Sequence, residues 1–120
     1  NGNASYIKDY NEDMWYYNEL KELPLPDPFV YEEDGTFYIT GTNDLNGGDT
    51  IDIYITTDFK EYFEFEAYDP HASWEKQGKD ALIFAPEIFK YDGFYYLTYS
   101  NIAKEDNIRY ITFLKSESIT

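Results

Sequence analysis

The sequence predicts an all-β protein, the first two four-stranded antiparallel blades of a β-propeller. Three observations carry that expectation. Aromatic residues make up 21% of the 120, with 14 Tyr and 9 Phe against a single Met, a balance that favours strands over helices. Asp34-Gly35 stands between runs rich in Val, Ile, Phe, Tyr and Thr, the setting of a tight hairpin, because Gly accepts positive φ and Asp tolerates it. The same stretch then returns at one constant offset of 58, counted from Pro28 to Pro86, with Gly35 returning as Gly93 and Tyr38 as Tyr96. A four-stranded antiparallel unit recurring at such a period points to propeller blades. One such sheet buries only one face well, so blades need neighbours. A two-sheet sandwich is the competing architecture, but a sandwich does not require its halves to match residue for residue.

The elements follow in order. Residues 1–22 are polar and Asn-rich around an aromatic knot at Met14-Trp15-Tyr16-Tyr17; their start offers little to bury and reads as a loose arm. Leu23-Pro24-Leu25-Pro26 forces an extended approach. Phe29–Glu33 and Thr36–Thr42 form the hairpin. Ile51, Ile53 and Ile55 alternate with Asp52, Tyr54 and Thr56, predicting a third strand with one core face. Tyr62–Glu66 alternates again and makes the fourth. Asp69–Asp80, with Pro70, His71, Trp74 and Gly78, reads as an irregular loop. Ala81–Phe84 leads into the second copy, whose hairpin spans Ile88–Ser100 and whose third strand is Ile108–Leu114. The offset extends beyond the hairpin, placing Ile53 on Ile111 and Ile55 on Phe113. The expected organisation is therefore an arm at 1–22, a first blade at 23–68, and a loop with a truncated second blade at 69–120.

Net charge is −15, from 24 acidic and 9 basic residues. Such a surface repels phosphate backbones and anionic lipid, which sets aside nucleic acid and membrane partners. A neutral carbohydrate is compatible with the charge. Cysteine is absent, removing disulfides, thiolate metal sites and thiol nucleophiles. No apolar run reaches the roughly 18 residues that suggest a bilayer span, and no signal-like start is present. The expected location is secreted or periplasmic, with any export signal already removed.

Leu25-Pro26-Asp27-Pro28-Phe29-Val30, followed by Asp34-Gly35-Thr36-Phe37-Tyr38-Ile39-Thr40-Gly41-Thr42, resembles the opening blade of glycoside hydrolase family 43. Thr56-Thr57-Asp58-Phe59 is similar to that family's Ser-Asp-Leu segment. Phe84-Ala85-Pro86-Glu87-Ile88, with Gly93-Phe94-Tyr95-Tyr96-Leu97-Thr98-Tyr99-Ser100, resembles its second-blade signature. The resemblance implies a five-bladed parent that hydrolyses arabinosyl or xylosyl linkages with inversion, using three carboxylates. Asp27 matches the general base. Glu87 stands where the family usually carries the Asp that tunes the acid, one methylene longer. Phe84 takes a position often held by Trp and offers an apolar wall to a sugar. The acid itself belongs to a later blade. The resemblance calls for no cofactor and admits a structural calcium at the propeller axis of the parent.

The chemistry needs this arrangement. An inverting hydrolase sets a base and an acid roughly 6.5–9.5 Å apart, and the innermost strands of different blades begin near one axis. Trp74 is a second candidate for sugar contact, since aromatic faces suit pyranose and furanose rings. Asp44, Asp49, Asp52 and Asp69 read as solvated carboxylates, and His71 as a loop residue. The parent's expected partner is a carbohydrate substrate, and the truncated blade is a surface for self-association. The competing function is a non-catalytic carbohydrate-binding or assembly module on the same scaffold.

Overall fold

The computed structural model describes residues 22–43, 50–70, 81–103 and 108–120. Their strands are β1 (Phe29–Glu33), β2 (Thr36–Thr40), β3 (Ile51–Thr56), β4 (Phe63–Tyr68), β5 (Ala81–Tyr91), β6 (Phe94–Ala103) and β7 (Arg109–Ser116). They form two antiparallel sheets, β1-β2-β3-β4 and β5-β6-β7, each in sequence order. No helix occurs among the described residues.

The repeat is written into the backbone. Asp34 and Gly35 take φ of 53° and 83°, and Asp92 and Gly93 take 52° and 80°. Two consecutive positive φ values make the mirror-image turn that suits the strand twist. A Cβ added at either glycine would meet no atom within 4 Å; the requirement there is backbone freedom, not space.

The two copies differ at the entry to their first strands. β5 runs 11 residues, whereas β1 runs five. The residues 58 before Phe84 and Leu82 are Pro26 and Pro24, which have no N–H for a ladder. One pairing bond survives in the first copy, from the Thr42 N–H to the Pro26 carbonyl at 2.8 Å. Its counterpart is the Phe84–Ser100 pair of β5 and β6.

Pairing assigns the faces. Tyr31, Tyr38, Ile53 and Phe65 share the side of the first sheet that meets Ile88, Leu97 and Leu114 of the second. Ile51, Ile83 and Tyr99 are buried together, with Ala67, Tyr68, Leu97 and Leu114 packed around them. At the hairpin end, Glu33 accepts hydrogen bonds from Tyr31 at 2.8 Å and Tyr95 at 2.7 Å, and Lys90 lies 3.5 Å away. Bonds from Tyr95, then Tyr31, hold the Glu33 carboxyl below its usual range.

Several expectations need correction. β3 does not have one core face: Ile51 and Ile53 are buried, and so are Asp52 and Thr56. β4 ends at Tyr68 rather than Glu66, and β7 at Ser116 rather than Leu114. The second copy's first strand begins at Ala81, continuous with the lead-in segment.

Candidate functional site

Asp27 sits just before β1 with φ of 54°. A non-glycine residue rarely adopts positive φ, and a following proline restricts it further. The surroundings hold it there. The Thr42 N–H bonds to the Pro26 carbonyl, and Gly41 lets the incoming segment lie close. A Cβ at Gly41 would come within 2.8 Å of Leu25 Cβ and 2.9 Å of the Pro26 oxygen. The Thr42 hydroxyl, on a buried residue, donates to Asp27 Oδ2 at 2.9 Å. Asp27 itself is exposed.

The second sheet reaches the same place through Ala85 and Pro86. Register breaks between Phe84 and Glu87, so Ala85-Pro86 is a bulge, the setting in which a sheet tolerates proline. Ala85 has φ of 50° and is Asp27's counterpart at the offset of 58. Its N–H donates to the Thr42 hydroxyl at 3.0 Å, and the Thr40 hydroxyl donates to the Pro86 carbonyl at 2.6 Å. One threonine hydroxyl thus joins the carboxylate before β1 to the bulge of β5.

Phe84 and Glu87 fall opposite Ser100 and Thr98, on one face of β5, the face turned away from the first sheet. Glu87 is exposed and Phe84 half-buried. Asp27 meets this stretch of β5 from the first-sheet side, through Thr42. Trp74, His71, Asp44 and Asp49 lie outside the described residues, while Asp69 is exposed. The described residues hold no group of three carboxylate, imidazole or thiolate side chains that could hold a metal ion.

Asp52 corrects the expectation of a solvated carboxylate. It is 8% exposed and accepts from Asn43 Nδ2 at 3.1 Å and from Thr50 at 3.4 Å. Burial, then the carboxylates of Glu64 and Glu66, pushes it up to about 6. Tyr54 donates to Glu64 at 2.9 Å on the same face.

Asp27, Glu87 and Phe84 are absent from the lining of the cleft of about 380 Å³ between the sheets, formed by Ile53, Phe65, Tyr68, Ile88, Leu97 and Leu114 among others. The cleft is lined largely by apolar side chains, whereas the bonded constellation at Thr42 carries a carboxylate. Sequence reading passed over Thr40 and Thr42. The available signal was the Thr40-Gly41-Thr42 motif, whose hydroxyls recur at Thr98 and Ser100.

The family model described as glycosyl hydrolases family 43 matches residues 16–120. Among solved structures, the native Bacillus subtilis arabinanase is 27% identical with a TM-score of 0.63, over 83% of this chain and 35% of its own. The Cellvibrio cellulosa α-L-arabinanase complexed with arabinohexaose is 26% identical at 0.63, over 83% and 31%. A thermostable family-43 glycoside hydrolase, 21% identical with a TM-score of 0.66 over 87% and 33%, shares the fold. The chain spans about a third of the length of these structures. No curated protein gives a significant match.

Proposed function

Because this chain belongs to the glycosyl hydrolases of family 43, we propose that the protein it forms part of hydrolyses arabinan-type chains, with Asp27 as the base that activates water. The carrying observation is the exposed Asp27 carboxylate at the entry to β1, held through one oxygen by Thr42. Similarity to arabinanases, one of them complexed with arabinohexaose, supports arabinosyl over xylosyl linkages.

In this reading the reaction inverts the anomeric carbon. Asp27 removes a proton from water as the oxygen attacks, while an acid beyond these residues protonates the leaving oxygen. Glu87 supports that acid and Phe84 contacts the sugar from the far face of β5, across the strand from Asp27. Without the acid, the 120 residues alone give no turnover.

The test uses the intact protein on linear arabinan. Release of sugar whose first-formed anomer is opposite to the substrate linkage is expected. Asp27→Asn should reduce turnover by about 10²- to 10⁴-fold, the usual worth of a general base, and leave sugar binding in place. Glu87→Gln should lower the rate and move the pH optimum. Full turnover in Asp27→Asn would remove Asp27 as the base, and absence of turnover in the intact wild-type protein would pass the reading to a carbohydrate-binding module.

A further inference from the structure

We propose that Thr42 is a positioning residue for the hydrolytic reaction, fixing the Asp27 carboxylate by a relay that begins on the other sheet. The proposal rests on the reading of Asp27 as general base. A threonine hydroxyl has one proton and can rotate to offer it elsewhere. Here the Ala85 N–H already occupies the oxygen at 3.0 Å, so the hydroxyl proton is directed to Asp27 Oδ2 at 2.9 Å. Donor, hydroxyl and carboxylate form a chain in which each bond polarises the next.

The relay does two things for a base. It fixes Oδ2, leaving Oδ1 without a hydrogen-bond partner among the described residues and open to water. It also makes the carboxylate's position depend on correct docking of β5, because Ala85 reaches Thr42 only when the bulge at Ala85-Pro86 is seated. The Thr40 bond to the Pro86 carbonyl at 2.6 Å seats that bulge beside it. The base is thereby aligned by the element that carries Glu87.

Thr42→Val keeps the shape and removes the hydroxyl, and Thr42→Ser restores it. In the intact protein Thr42→Val should lower kcat about 10- to 100-fold, as misplacement of a reacting group by about 1 Å does, with KM within about twofold. Thr42→Ser should stay within about threefold of wild type on the same argument. Equal losses in a folded Val variant and the Ser variant, or a KM rise that accounts for the loss, would show a packing role and overturn the proposal. So would wild-type kcat in folded Thr42→Val. Should Thr42→Val not fold, Thr42→Cys serves in its place, since a thiol of similar size is a weak donor; a comparable fall in kcat is expected, and wild-type kcat overturns the proposal. Asp27→Asn is run alongside. Unimpaired turnover there defeats the base assignment itself, whereas an inactive Asp27→Asn beside a fully active Thr42→Val defeats only the relay.

Discussion

Replacing Asp52 by Asn should stabilise the 120-residue chain, and only above about pH 4. Asp52 is buried on β3, with Glu66 opposite it and Glu64 opposite Tyr54 on the same face. Burial and then these carboxylates raise it from 3.8 to about 6. The folded value lies above the unfolded one, so the folded state binds more protons between them. The group's contribution to stability is complete below about pH 4 and is lost as pH rises through 6. One pKa unit is worth about 1.4 kcal/mol, so a shift of about two units costs up to about 3 kcal/mol at neutral pH. The amide keeps one oxygen to accept from Asn43, turns its NH2 toward the Thr50 hydroxyl oxygen, and removes the charge. Urea unfolding of both proteins from pH 3.5 to 8 tests this. Their difference should be near zero at the acid end, grow between pH 4 and 6, and then level. Glu33 and Asp58, both held low, titrate in both proteins and cancel. A difference that does not vary with pH, or a variant less stable at pH 8, would refute the electrostatic account.

Three further outcomes are expected. Gly41→Ala should destabilise the chain by about 1–3 kcal/mol, the usual cost of overpacking, because its Cβ would lie 2.8 Å from Leu25 Cβ; denaturation measures the first effect, and turnover of the intact protein should fall with it. Tyr95→Phe should lower stability by removing the bond to Glu33 that joins the sheets, read as a downward shift in denaturation midpoint at unchanged slope. The 120-residue chain should self-associate through the outer face of the second sheet, where Ile111 and Phe113 are 66% and 58% exposed. Phe113→Lys should shift sedimentation toward monomer, and an unchanged profile would remove that face as the contact.

Much of the fold was legible because hairpin chemistry is local. Asp34-Gly35 and Asp92-Gly93 announce their turns within two residues, and the common offset announces that the turns belong to equivalent units. Strand ends were less legible, since β5 continues through a bulge containing Pro86, a residue that ordinarily argues against a strand interior. The burial of Asp52 was hidden because alternation records polarity, and a polar residue reads as exposed even where Asn43 and Thr50 enclose it. Asp27 could be singled out from the resemblance of Leu25-Pro26-Asp27-Pro28 to the family's opening blade. Thr42 could not, because its importance lies in a contact with Ala85, 43 positions away. No period in the sequence encodes such a contact.

The paired φ values at Asp27 and Ala85 have a consequence for how such a protein acquires chemistry. Two copies of the unit hold the residue before their proline in the same uncommon conformation, yet one copy bears a carboxylate there and the other a methyl group. The unit therefore supplies a fixed mounting point, and the mounted side chain is free to diverge without redesign of the backbone. Duplication followed by a single exchange at that point would add or erase a charged group at a predetermined place. The chemistry at that point then lies in the choice of side chain, while the backbone conformation that holds it is common to both copies.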